Sequence, residues 1–244
     1  MNDASHVSPA PSTSASLDAV LNPASVAIVG ASRDPTKRGH QAIKALLNSG
    51  YAGRLMPVNP AGGEILGLPV APSVADLPIV PDLAFICTPA QSVPEVLSAC
   101  ARRGIRGAVI SAVGFRESGE EGSALEREIL EIVHRSGLRL VGPNTSGVLN
   151  AASGFNLVGV PDVPAGHLAL LSQSGNVGLE VLRECIRDEL GISLYVGVGN
   201  ESDIAFHEYL EYASTDGHTR VVLLYVEGFR DGRRLWCEAC LPHQ

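Results

Sequence analysis

Short apolar runs recur along this chain at intervals that leave room for one helix between neighbours, and this alternation restricts its fold more than any other feature. Val26-Ala27-Ile28-Val29, Leu55-Met56-Pro57-Val58, Leu83-Ala84-Phe85-Ile86-Cys87, Ala108-Val109-Ile110 and Leu138-Arg139-Leu140-Val141 are short and mostly apolar on both faces. Parallel strands buried between two helix layers have this character. Ala42, Ile43, Leu46 and Leu47 form one helical stripe between them, and Leu125, Ile129, Ile132 and Val133 form another. The alternation predicts an α/β fold, with a Rossmann-like, doubly wound parallel sheet over residues 22–150. Residues 1–21, opening with a Ser/Ala/Pro-rich stretch, read as a disordered tail. A linker at 151–165 leads to a second α/β unit at 166–244, with strands at 168–171, 192–196 and 221–225 and helices at about 175–189 and 203–213. Three strands are few for an open sheet, so this flavodoxin-like unit reads as incomplete and truncated at its C-terminus.

Composition narrows the function. Apolar residues make up 45% of the 244 residues and charged residues 18%, enough to build a core. A net charge of −8 argues against nucleic acid or an anionic membrane as partner. Five cysteines, an odd number lying mostly in apolar runs, read as reduced thiols of a cytoplasmic protein. No apolar stretch approaches the ~20 residues of a membrane span, and the N-terminus lacks the order of a secretory signal.

Two turns carry the chemistry. Val29 leads into Gly30-Ala31-Ser32-Arg33, with a helix opening near Lys37, an arrangement that sets backbone N–H groups and a helix dipole against a phosphate. The dinucleotide pattern G-x-G-x-x-G is absent, and Asn59-Pro60 at the next strand end offers no carboxylate for a ribose hydroxyl. An NAD-dependent enzyme is therefore disfavoured. The second turn, Ser172-Gln173-Ser174-Gly175-Asn176, precedes another helix. It reads either as an anion nest or as plain N-capping. Near the C-terminus, Cys237, Cys240 and His243 offer three soft ligands where a zinc site takes four, so no metal is expected.

Gly30-Ala31-Ser32, Pro57-Val58-Asn59-Pro60, Leu66-Gly67-Leu68-Pro69 and Gly142-Pro143-Asn144 fall in an order that resembles the CoA-binding domain of NDP-forming acyl-CoA synthetases, relatives of the succinyl-CoA synthetase α subunit. The resemblance continues through Ser172-Gln173-Ser174-Gly175, Gly199-Asn200, Leu210-Glu211-Tyr212 and Tyr225-Val226-Glu227-Gly228, covering about residues 22 to 235. It implies that Gly30, Ala31, Ser32, Arg33, Asn59, Thr88, Pro89, Ser111, Ala112, Val113 and Asn144 contact CoA. It also implies that Ser172, Ser174, Gly175 and Asn176 receive a phosphoryl group carried on a histidine, with Glu211 as that histidine's partner. One departure stands out. Where family members carry a lysine after the Asn-Pro pair this chain has Ala61, leaving Arg33, Lys37 or Arg38 to take its place.

The family reaction implied is acid + CoA + NTP giving acyl-CoA + NDP + phosphate, through covalent steps. Its phosphohistidine belongs to a segment beyond Glu227–Arg234, and its ATP-grasp module, which handles ATP/ADP and Mg, has no counterpart here. The expectation is a CoA-binding α-type portion, inactive alone, that pairs with a β-type ATP-grasp subunit and exposes an apolar face prone to self-association. The alternative is a CoA or acyl-CoA sensor without catalysis, or a truncated remnant.

Overall fold

The computed structural model describes residues 13–240. In chain order its elements are α1 (Thr13–Leu21), β1 (Ser25–Val29), α2 (Arg38–Asn48), β2 (Arg54–Val58), β3 (Glu64–Ile65), β4 (Leu68–Pro69), β5 (Leu83–Ile86), α3 (Val93–Arg103), β6 (Gly107–Ile110), α4 (Glu120–Ser136) and β7 (Arg139–Val141). There follow β8 (Val148–Asn150), β9 (Phe155–Asn156), β10 (Ala165–Ser172), α5 (Gly175–Arg187), β11 (Ile192–Gly197), α6 (Phe206–Thr215), β12 (Val221–Tyr225) and α7 (Gly232–Cys240).

The first sheet has the order β2-β1-β5-β6-β7, parallel throughout. Strand β1 is buried along its whole length and sends its side chains alternately to two cores. Val26 and Ile28 meet Ala42, Ile43 and Leu46 of α2, together with Leu17, Val20 and Leu21 of α1. Ala27 and Val29 meet Leu97 of α3 and Ile129 of α4. Apolar residues on both faces are thus explained by helices on both faces. Leu47, assigned to the α2 stripe from its spacing, is 47% exposed and lies off the packed face.

Two expectations need correction. Residues 17–21 belong to the core and not to a tail: Leu17, Val20 and Leu21 are fully buried at i, i+3, i+4 spacing, and Tyr212 donates its hydroxyl to Asp18 from α6. Residues 1–12 and 241–244 lie outside the described residues. The second sheet has five strands instead of three, in the order β12-β10-β11-β8-β9. Its extra strands come from the end of the stretch assigned to the first unit and from the expected linker; β8 runs antiparallel to β11, and β9 antiparallel to β8. The other edge is open. On β12, Val221, Leu223 and Tyr225 are exposed, the apolar surface expected of this sheet.

The two sheets share one core. Ala169, Leu171, Leu194 and Val196 of the second sheet pack in the same cluster as Val26, Ile28 and the α2 stripe, while Leu170 and Tyr195 point to the opposite face, where Leu182 and Cys185 of α5 cover them. A buried cation spans the junction. Arg38, the first residue of α2, lies 5.4 Å over the Phe85 ring and donates to the carbonyls of Ser146 (2.7 Å), Leu157 (2.6 Å) and Val158 (3.1 Å). Burial pulls its pKa down, but a guanidinium stays charged in a protein, and the three carbonyls satisfy its buried donors.

Replacing Arg38 by Met keeps most of the apolar stem and removes the donors. Urea unfolding should show a loss of about 3 kcal/mol, the cost of stranding buried acceptors; a loss below about 1 kcal/mol would mean that the clamp does not hold the sheets together.

Candidate functional site

In the first sheet the direction of winding reverses between β1 and β5, and on such sheets the crevice outside the carboxyl ends of the strands at that point is the usual ligand position. Gly30 follows β1 with φ of 89°. A Cβ there would lie 3.0 Å from the Cys87 carbonyl carbon and 3.2 Å from Thr88 Cγ2, so only glycine allows the two loops this approach. Gly39, which sequence reading passed over, is equally constrained: its Cβ would fall 2.4 Å from the Gly30 carbonyl oxygen. That contact sets the N-terminus of α2 directly against the turn.

Several of the expected CoA residues hold the turn instead of facing outward. Asn59 donates to the Ala31 carbonyl (2.7 Å) and accepts from the Ala61 amide (2.8 Å), which occupies both ends of its side-chain amide. Arg33 braces the β3–β4 hairpin through the carbonyls of Glu64 and Gly62. With Arg33 and Arg38 both engaged, Lys37 is exposed at the N-cap of α2, and among the described residues its ammonium makes no hydrogen bond or ion pair, feeling only the nearby charge of Asp34.

On the β5 side, the Thr88 hydroxyl is buried and has no hydrogen-bond partner among the described residues. A buried, unpaired hydroxyl costs stability and calls for an explanation; in this crevice, a ligand acceptor supplies one. Pro89 begins the turn that leads into α3. Ser111 donates to the Ile86 carbonyl (3.3 Å), and burial pushes the neighbouring Cys87 thiol up to about 11, which leaves it an inert wall. Val113 is 66% exposed at the rim. Asn144, at φ 59°, donates its amide N–H to the Ala112 carbonyl (3.0 Å). Backbone donors, one free cation, an orphan hydroxyl and an exposed apolar rim suit a phosphorylated ligand with an apolar arm. CoA fits that description.

The second turn ends β10. Ser174 caps α5 by accepting from the Val177 amide (3.4 Å), and buried Ser172 donates to the Ser174 carbonyl (2.8 Å). The amides of Gly175 and Asn176 open the helix and have no acceptor within it. Capping uses Ser174 Oγ, which leaves the first-turn amides without an acceptor inside the helix. Gln173 ties this turn to its surroundings. Its carbonyl oxygen accepts from the amides of Glu227 (2.6 Å) and Gly228 (3.1 Å), and its nitrogen donates to Glu201 (2.8 Å). Burial raises the Glu201 pKa, while its other oxygen accepts from the Phe206 amide at the start of α6. Glu211 lies about a turn and a half into α6. Its carboxylate has no partner among the described residues, and it lines a cleft of about 640 Å³ with His207, Arg230 and Arg234. Exposed Cys237 borders the same cleft; the third CxxC-set ligand, His243, lies outside the described residues.

An α/β protein of two units that share a core, each with a turn from a strand end into a helix N-terminus, is the class that this geometry defines. Residues 24–151 match the CoA binding domain model, and residues 165–240 match the succinyl-CoA ligase-like flavodoxin domain model. The chain is 42% identical over 224 residues to the α subunit of ADP-forming acetate–CoA ligase I of Pyrococcus furiosus, covering 90% of this chain and 48% of that one. It is 39% identical over 219 residues to ADP-forming acetate–CoA ligase II of Archaeoglobus fulgidus, covering 88% of this chain and 32% of that one. In structure it is similar to the dinucleotide-forming acetyl-coenzyme A synthetase 1 of Ca. Korarchaeum cryptofilum, solved with phosphate and ADP: TM-score 0.86, 37% identity, 90% of this chain and 47% of that one. The chain belongs to the CoA-binding α-type part of the NDP-forming acyl-CoA synthetase family. It spans about half the length of the α subunit from P. furiosus. Among the described residues no helix is long and apolar enough to cross a membrane.

One polar cluster escaped the sequence reading. Glu126 of α4 is buried and accepts from Asn200 (2.9 Å), from the hydroxyl of Ser202 and from the Arg116 amide (3.1 Å). A signal existed: Gly122, Glu126, Ile129 and Val133 share the buried face of α4, and a carboxylate in an apolar stripe needs partners. Nearby, Arg139 at the start of β7 pairs with Asp203 (3.1 Å) and Glu208 (2.7 Å). Burial pushes the Glu117 carboxyl up, but hydrogen bonds from Asn200 and from the amides of Gly114 and Phe115 outweigh burial and hold it below 4.5. A lowered folded-state pKa stabilises above the unfolded value and is lost as pH falls through the folded one. Thermal unfolding from pH 7 down to pH 3 should therefore show a decline below about pH 4.5 that Glu117→Gln makes shallower. An identical acid slope in both proteins would refute this assignment.

Proposed function

We propose that this chain supplies the CoA site and the phosphoryl-receiving helix of an NDP-forming acid–CoA ligase. The overall reaction is acid + CoA + NTP giving acyl-CoA + NDP + phosphate. The observation that carries the reading is the pair of backbone turns after β1 and β10, one at a ligand crevice and one at a helix N-terminus, in units that share one core. The relatives' names and the phosphate and ADP bound to one solved relative support it.

In this reading the Gly30–Ser32 backbone, the N-terminus of α2 and the Lys37 ammonium bind CoA phosphates, and Asn59 fixes the turn that presents them. Thr88 donates its free hydroxyl to the bound cofactor, and Pro89, Ser111, Ala112 and Val113 line its path, with Asn144 holding the Ala112 carbonyl. The first-turn amides of α5 face a phosphoryl group carried on a histidine, stabilising its charge with fixed dipoles. Glu211, unpaired in its cleft, orients that histidine. ATP or ADP and Mg belong to an ATP-grasp module, which a β-type partner would carry. The acid is taken up at the assembled interface.

Isothermal titration with CoA, with dephospho-CoA and NAD as controls, tests the reading. CoA should bind saturably and NAD should not. Thr88→Val keeps the shape and removes a hydroxyl that is unpaired in the free protein. Its melting temperature should equal or exceed the parent's, while CoA affinity falls about fivefold, the worth of one hydrogen bond. Absence of CoA binding by the folded protein, or equal affinity in the variant, would overturn the proposal or the role of Thr88 respectively.

A further inference from the structure

Asn200 lies in the second unit, in the loop after β11, yet each of its hydrogen bonds goes to the first unit. Its side-chain nitrogen donates to Glu117 (2.9 Å) and to Glu126 (2.9 Å), and its side-chain oxygen accepts from Asn144 (3.4 Å). Its amide donates to the Pro143 carbonyl (2.9 Å), and its own carbonyl accepts from the Arg116 guanidinium. The residue is 6% exposed, so these bonds form out of water.

The contacts converge on the crevice. Glu117 passes the hold on: its other oxygen accepts from the amides of Gly114 (2.7 Å) and Phe115 (3.1 Å), fixing the turn directly after Val113 at the rim. Gly114 has φ of 107°, a conformation that side chains other than glycine rarely adopt. Asn144, the other end of the hold, sits at φ 59° and bonds the Ala112 carbonyl. The Asn144 conformation is uncommon outside glycine and persists where the surroundings fix it, while Gly114 allows a turn that the surroundings must still select. Here much of the surroundings is one side chain from the neighbouring unit.

We propose that Asn200 is a positioning residue for CoA binding: from the second unit it sets the Ser111–Phe115 loop and Asn144 in the geometry that the crevice needs, without touching the cofactor. The inference rests on the crevice being the CoA site. It implies that the second unit completes the CoA site instead of merely following it in the chain.

The experiment compares Asn200→Ala with Asp203→Asn in the full chain. Asp203 lies in the same interface but bonds Arg139 and the Leu140 amide, away from the crevice rim. Both variants should lower the melting temperature. By calorimetric titration, Asn200→Ala should lose about tenfold in CoA affinity, and Asp203→Asn should stay within twofold of the parent. Amide hydrogen exchange without CoA should quicken at Gly114 and Phe115 in Asn200→Ala alone. If Asn200→Ala does not fold, Glu117→Gln, which turns an amide nitrogen toward Asn200 or toward the rim amides, should show the same loss of affinity. Equal affinity losses in the two interface variants, or an unchanged affinity in Asn200→Ala, would overturn the positioning role. Failure of the parent to bind CoA would instead overturn the assignment of the crevice, and quickened exchange at Gly114 and Phe115 would still report whether Asn200 holds the loop.

Discussion

A guanidinium taken out of water has to find acceptors, and Arg38 finds three, on Ser146, Leu157 and Val158. Those carbonyls belong to the stretch that leaves the first sheet and enters the second, so the start of α2 and the start of the second unit are placed by the same side chain. The consequence reaches the ligand crevice. Arg38 precedes Gly39, whose lack of a side chain lets α2 press on the Gly30 carbonyl. Where the second unit sits therefore bears on where the helix dipole points.

Around that cation the interface is layered by polarity. An apolar core runs continuously from Val26 and Ile28 to Leu171 and Val196. It supplies most of the adhesion, being nondirectional and proportional to area. Polar groups at its margin give direction: Glu126 with Asn200 and Ser202, and Arg139 with Asp203 and Glu208. Such groups do little for net stability but penalise any other docking, because each would be left buried and unpaired. One docking geometry keeps the crevice and the anion turn in fixed relation, as successive transfers between them would require.

Much of this was legible in the chain. Val26–Val29 and Leu83–Ile86 are apolar on both faces because both faces are covered, and this pattern identified them as parallel strands. Gly30 and Ser174 stood out because turns and caps demand particular residues locally. What stayed hidden was either short or distant in sequence. Val148–Asn150 and Phe155–Asn156 are three and two residues long, too short for alternation to register. The spacing of Leu17, Val20 and Leu21 was present, but the Ser/Ala/Pro-rich residues before it masked it. The Asn200–Glu126 pair spans 74 positions, and no local pattern marks a polar contact made across two units. Asn59 and Arg33 were expected to contact the cofactor, but their work of bracing the turn is visible only once their partners are in place.

Amide hydrogen exchange followed by mass spectrometry, with and without CoA, tests the account most directly, because it reads each loop separately. CoA should slow exchange in segments 30–37, 87–92 and 111–116, and also in 198–203, which never touches the cofactor but holds the loop that does. Protection confined to the first three segments would contradict the claim that the second unit completes the site; protection in none of them would contradict the site itself.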